Sequence, residues 1–200
     1  VSAFRYLEFD SVDVQTNLIV LIMGKLEVRK TRLNGVLIVK PITDFVDHRG
    51  RYLELYNEVD YHQAGISIKF LQDDVSISKK GVLRGIHGDS LTWKLVTCIF
   101  GSIHLIAVNN DKHSEQYKQW QSFLVTEENR VQILIPPKFG NGHLVISEQA
   151  IFHYKQSTLY ESVKQFTIAW DTPEYGFDWP VVNPTVSTRD LGISNPNKPV

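Results

Sequence analysis

Two side chains three positions apart hold the most chemical promise in this chain: Arg84 and His87, within Gly81-Val82-Leu83-Arg84-Gly85-Ile86-His87-Gly88-Asp89. The planar guanidinium of an arginine can donate two parallel hydrogen bonds to a phosphate, and an imidazole can take and return a proton near neutral pH. In an extended strand, residues three apart lie on opposite faces, so a shared cavity requires a bend, for which Gly85 is suited. The pair points to a phosphorylated or nucleotidylated substrate held beside a base. For the short motif alone, an ordinary ion pair at Arg84 and a structural histidine at His87 are the commoner reading.

The elements that must carry these residues read as β-structure. Short strand patterns bounded by turn residues occur at 36–39, 52–56, 70–78, 94–100, 102–109, 119–125, 131–135, 142–147, 151–156 and 165–170. About ten such strands without a sustained helical period indicate an all-β sandwich or barrel. In the strand 151–156, alternation sets Tyr154 with Phe152 and Gln156 on one face and His153 with Lys155 on the other. Val131, Ile133 and Ile135 alternate with Gln132 and Leu134, as on a strand with one drier face. Helical patterning is confined to 57–63 and 188–192. Residues 1–30 hold one or two strands, at 18–22 and 26–29, that are available to a second subunit, and 195–200 reads as a frayed tail.

Composition sets the outer bounds. Two hundred residues, 42% hydrophobic and 11% aromatic, suit one globular domain with a sizeable core. A net charge of −1 without a basic block argues against a nucleic-acid surface and makes any phosphate recognition local. The single cysteine, Cys98, excludes an internal disulfide and suits a reducing compartment. The apolar stretch 18–23 follows Asp10 and Asp13 and is too short to span a bilayer, so a cytoplasmic protein is expected.

The motifs then narrow the field. FLQDDVSISKKGVLRGIHGD, WKLVTCIFGSIHLIAVNN, ILIPPKFGNGHLVIS, FHYK and AWDTPEYGFDWP occur in order between Phe70 and Pro180, and Asp47-His48-Arg49-Gly50 precedes them. Together they resemble the dTDP-4-dehydrorhamnose 3,5-epimerase family of cupin-fold sugar-nucleotide epimerases, over about three quarters of the chain. The resemblance implies a cupin-type β-barrel, or jelly roll, with short flanking helices. It implies an N-terminal strand extension at 1–30, an epimerase domain at 31–185 and a tail at 186–200.

What the resemblance implies chemically is proton transfer beside a ketone. The carbonyl at carbon 4 of a 6-deoxy nucleotide sugar acidifies carbons 3 and 5 and is its own electron sink, so neither a redox cofactor nor a metal is required. His87 occupies the place of the family's base, and Tyr154 that of the proton donor across the ring. Lys94 takes the place of the lysine that holds the enolate oxygen. A strand tyrosine is otherwise core or interface filling, and a lone lysine otherwise surface. Arg84 would grip the diphosphate together with Arg49, whose segment resembles one that reaches into a neighbouring subunit's site. Glu54 and Gln72 would lie near the nucleobase. A homodimer with exchanged N-terminal strands is implied.

Several positions depart from the family pattern. The carboxylate that orients the base is drawn from a tryptophan-led segment, where this chain has Trp170-Asp171-Thr172; Asp171 is the expected partner of His87, provided a bulge or turn re-aims it. After the base the chain reads Gly88-Asp89, and at the second turn Gly140-Asn141-Gly142-His143. These features look more like epimerases acting on GDP-6-deoxy-4-keto-heptoses, with Asp89, Asn141 and His143 as substrate contacts and Gly88 making room for a longer sugar. No histidine forms a His-x-His pair, and His87, His104 and His143 sit on separate segments, so no metal site is expected. Two alternatives remain: a nucleotide-sugar 3,4-ketoisomerase, and a catalytically silent carbohydrate-binding cupin, to which Thr172 and Asn141 point.

Overall fold

The computed structural model describes residues 20–23 and 25–191. Fourteen strands run through them: β1 Val20–Met23, β2 Leu26–Lys30, β3 Leu37–Pro41, β4 Asp44–Asp47, β5 Gly50–Leu53, β6 Gln72–Lys79, β7 Leu83–Gly88, β8 Lys94–Phe100, β9 Ser102–Asn109, β10 Trp120–Thr126, β11 Gln132–Ile135, β12 Phe139–Val145, β13 Gln149–Gln156 and β14 Phe166–Thr167. One short helix, α1 (Glu58–Gln63), is capped at its N-terminus by the Asn57 side chain, which accepts from the Val59 and Asp60 amides.

The strands form a seven-stranded sheet in the order β1-β2-β3-β11-β8-β13-β6, a five-stranded sheet in the order β10-β9-β12-β7-β14, and the separate hairpin β4-β5. All ladders between named strands are antiparallel. The all-β barrel expected from the sequence is therefore present. No helix among the described residues is long and apolar enough to cross a membrane.

Side-chain parity builds the layers. Val96 and Cys98 of β8, Ile103 and Leu105 of β9 and Ile133 of β11 pack into one buried cluster, with Phe152 of β13. The opposite parity of the larger sheet places Leu95 and Leu134 in a second cluster with Tyr61 of α1. This explains why β11 is buried along its whole length: the face expected to be wetter lies under α1, where Tyr61 Oη donates to Gln132 Oε1 at 2.8 Å. On the outer side of the smaller sheet, Ile86, Ile106 and Val108 lie under Trp120, Ile168, Tyr175, Phe177 and Trp179.

The strands of 20–30 join the chain's own larger sheet through β3, and β1 ends that sheet with its outer edge unpaired among the described residues; residues 1–19 and 195–200 lie outside the described residues. Two expectations change. The segment 165–170 supplies only the two-residue β14, because Trp170 and Asp171 enter a turn. The helical pattern at 188–192 is a turn through Leu191, with Leu191 N–H donating to Ser187 O.

Candidate active site

Between the two sheets lies a cavity of about 730 Å³. Side chains from several strands line it, most of them polar. Gln72, Asp74 and Ser76 come from β6, Phe152, Tyr154 and Gln156 from β13, Arg84 and His87 from β7, and Asn141 and His143 from β12. Lys94 opens β8 with the same parity as the inward Val96 and Cys98. The chain beyond β14 closes one side with Ser187, Arg189 and Asp190.

Arg84 and His87 reach the same cavity because β7 carries an extra residue. Asn141 pairs with His87 but His143 pairs with Arg84, so Gly142 alone faces both Gly85 and Ile86. Gly85 has a φ of +114°, and a Cβ there would lie 2.6 Å from Gly142 Cα and 2.7 Å from Asn141 O. Glycine is required at this bulge, which supplies the bend expected from the spacing.

His87 Nε2 lies 2.6 Å from Asp190 Oδ1. Asp190 is almost completely buried, and burial alone would raise its pKa; hydrogen bonds from His87, Ser187 and the Gly85 amide outweigh that and hold it below the usual carboxylate value. An ionised carboxylate can only accept, so Nε2 carries the proton and the lone pair resides on Nδ1. The expected partner, Asp171, is corrected here. It sits exposed in the turn after Trp170 and does not line the cavity. The residue that takes its place lies within 186–200, the stretch read as a tail.

Lys94 is 8% exposed, and burial pulls its pKa down to about 8 against the opposing pull of Asp89. Its Nζ lies 3.4 Å from Asn141 Oδ1. Tyr154 is pushed up to about 12, mainly by burial and then by Asp74, so its hydroxyl is a proton donor throughout the neutral range. Asp74 is itself held by Gln72 Nε2 at 2.8 Å and Gln156 Nε2 at 2.8 Å.

Arg84 Nε donates to Ser78 Oγ at 3.1 Å, and no carboxylate pairs with its guanidinium among the described residues. Arg189 donates to the Tyr160 and Thr167 hydroxyls at 3.3 and 3.4 Å, again without a carboxylate. Two guanidiniums without a carboxylate partner among the described residues thus border the cavity. His143 is buried, stacked on Phe152 with ring centroids 4.1 Å apart; burial and the neighbouring Arg84 depress its pKa to about 3.

Three expected contacts are not at this cavity. Asp89 turns away from it, accepting from the Leu91 and Thr92 amides at 2.8 and 2.7 Å and from Gln165 Nε2 at 2.7 Å. Arg49 stands on the β4-β5 hairpin, exposed and paired with Asp47, and Glu54 faces Lys25 at 3.7 Å. Gly88 makes no room: a Cβ there would lie 2.2 Å from Phe139 O and 2.5 Å from Phe166 Cζ. Among the described residues no cluster of three or more His, Cys, Asp or Glu could hold a metal. His104 faces Asp178 at 3.3 Å and does not reach the cavity.

Comparison with known proteins agrees with this fold. A family model described as dTDP-4-dehydrorhamnose 3,5-epimerase matches residues 30–196. The chain is 37% identical over 161 residues to the dTDP-4-dehydrorhamnose 3,5-epimerase of Methanothermobacter thermautotrophicus, covering 80% of this chain and 86% of that protein. It is 35% identical over 170 residues to the enzyme of the same name from Shigella flexneri, covering 83% and 93%. Among solved structures, the dTDP-6-deoxy-D-glucose-3,5-epimerase of Legionella pneumophila in complex with dTDP-4-keto-L-rhamnose superposes with a TM-score of 0.79 at 31% identity, over 84% of this chain and 91% of that one. The dTDP-4-dehydrorhamnose 3,5-epimerase of Bacillus anthracis with TDP and PPi bound gives 0.80 at 28% identity, over 84% and 98%.

Proposed function

The chain belongs to the dTDP-4-dehydrorhamnose 3,5-epimerase family, and from that premise we infer how its own residues invert carbon 3, carbon 5 or both of a 4-keto-6-deoxy nucleotide sugar. The observation that carries the assignment of roles is the 2.6 Å pair of His87 with Asp190, in a cavity also lined by Tyr154 and Lys94. His87 Nδ1 removes the proton beside the ketone, and Asp190 fixes the tautomer and stabilises the imidazolium. The electron pair moves onto the carbonyl oxygen as an enolate, which the Lys94 ammonium faces. Tyr154 delivers its phenolic proton to the opposite side of the carbon; the His87 imidazolium then releases the abstracted proton to solvent and the Tyr154 phenolate takes one up. No redox step occurs, and proton count and charge balance over the cycle.

Arg84 and Arg189 supply positive charge for the diphosphate, and Gln72 lies on the same wall. The missing acid at Thr172, which pointed towards silent binding, loses its force because Asp190 supplies the carboxylate. Gly88 no longer supports a longer sugar. Of the two nucleobases and sugar lengths considered, dTDP-4-keto-6-deoxy-hexose is therefore the favoured substrate, as in the names of the relatives.

The enzyme acts as a homodimer in which the hairpin β4-β5 carries Arg49 to the partner's cavity. Supporting this are the exposed Phe45, Val46 and Tyr52 of that hairpin and the outward Val75 and Ile77 of β6. The direct test of the activity is incubation with dTDP- and GDP-linked 4-keto-6-deoxy sugars in heavy water. Deuterium at carbon 3 or 5 with the carbonyl still at carbon 4 is expected. A relocated carbonyl would identify a ketoisomerase, and no label with any substrate would leave only binding.

A further inference from the structure

Among the described residues, two polar atoms that the reaction does not use are buried at the cavity wall without a hydrogen-bond partner: His143 Nε2 and Ser76 Oγ. They lie on opposite sheets, yet the fold brings them to one neighbour. Phe152 is the register partner of Ser76 and stacks on the His143 ring, with an interplanar angle of 21°. Arg84 is the register partner of His143, and its Nε reaches Ser78, two residues beyond Ser76 on the same face of β6. Guanidinium, imidazole and hydroxyl therefore border one compartment, one step along the strands from His87 and Tyr154.

We propose that Ser76 and His143 form a neutral hydrogen-bonding subsite beside Arg84 that takes one oxygen of the bound nucleotide sugar, making His143 a specificity-determining residue. The inference rests on the reading of this cavity as a nucleotide-sugar site. An unpaired buried polar atom is a standing penalty on the free protein, and a ligand oxygen placed between the two would remove it. His143 is not a second base. Burial and Arg84 keep its ring uncharged, so it offers one N–H and one lone pair rather than a titrating proton. Such a group matches an oxygen that accepts or shares a hydrogen bond, supplied by either a diphosphate oxygen or a sugar hydroxyl.

The test uses the full chain with His143→Phe, which keeps the ring stacked on Phe152 but removes both nitrogens, with Ser76→Ala and with His143→Gln. Calorimetric titration with TDP and GDP probes the diphosphate source. The kcat/KM for a 4-keto nucleotide sugar, against the same sugar lacking one hydroxyl, probes the other. A loss of about tenfold or more in the first arm for His143→Phe and Ser76→Ala identifies a phosphate oxygen. A similar loss confined to the second arm, with discrimination between the two sugars abolished, identifies a hydroxyl. In either case His143→Gln recovers part of the loss, and the ligand-free melting temperature of His143→Phe is unchanged or higher, because an unmatched polar atom has gone. Wild-type values in both arms would overturn the subsite, as would a His143→Phe protein whose melting temperature and activity fall together. Failure of the epimerase reading is distinguishable: the wild type would then incorporate no deuterium, while the calorimetric arm still reports on the subsite.

Discussion

At the scale of single residues, the division of labour follows from which groups hold which charge. Asp190 is ionised and orients His87, so Asp190→Asn, which can present an N–H in place of an acceptor, should lower kcat by about 10²–10⁴. Asp171→Asn, at an exposed turn, should stay within about twofold of wild type; steady-state kinetics of the pair decides between the two carboxylates. Lys94 offers a pH test. Its ammonium deprotonates near pH 8, whereas Tyr154 keeps its proton to about 12, so the alkaline fall in kcat/KM belongs to Lys94. Lys94→Arg, which stays charged, should move that fall upward by more than one pH unit, and an unmoved limb would reassign it. The same burial affects stability. The folded pKa of about 8 lies below the ordinary value of 10.5, so the unfolded chain binds more protons between those limits and stability rises with pH across that window, by on the order of 3 kcal/mol at most. Urea unfolding at pH 7.5 and 9.5 should show the gain in the wild type and not in Lys94→Met. The family resemblance marked His87, Tyr154 and Lys94, and the structure brings them to one cavity. Asp190 and Arg189 went unmarked, because a carboxylate that arrives from a turn beyond the last strand has no periodic signal to place it.

At the scale of elements, the bulge in β7 is what turns a sequence motif into a site. Without the extra residue, Arg84 and His87 would face opposite sides of the sheet. Gly85→Ala should therefore destabilise the protein by about 2 kcal/mol or more and abolish activity, since a positive φ and two contacts under 3.0 Å both forbid the methyl group. Denaturant melts and exchange kinetics would measure the two losses together. A fully active, fully stable variant would show that the bulge is dispensable. The bend at Gly85 was legible because spacing and residue type together demanded it. The packing of Gly88 was not, since a glycine reads in sequence as open space, while Phe166 and the Phe139 backbone fill that space from strands distant in the chain. Similarly, the amphipathic pattern of β11 was legible, but its wetter face is dry because Tyr61 of α1 covers Gln132.

At the scale of the whole molecule, two sheets share a core at one end and a polar cavity at the other, and the barrel architecture was readable from the density of short strands. The assembly was less so. β1 ends the larger sheet, which leaves its outer edge open to a second subunit among the described residues, while the β4-β5 hairpin carries Arg49 of a shared site. Mixing His87→Asn and Arg49→Ala subunits should then restore, at low substrate, activity that neither variant shows alone, and light scattering should give a dimer. A fully active monomer would remove the shared site. The central claim is narrower: one imidazole takes a proton and one phenol returns it from the other side of the sugar ring. The most direct measurement follows deuterium from heavy water into a 4-keto-6-deoxy nucleotide sugar with the wild type, His87→Asn and Tyr154→Phe, reading label position and configuration by NMR. His87→Asn should show no exchange at any carbon, while Tyr154→Phe should continue to exchange but with little inversion. Equal loss in both variants, or wild-type exchange in His87→Asn, would contradict the account.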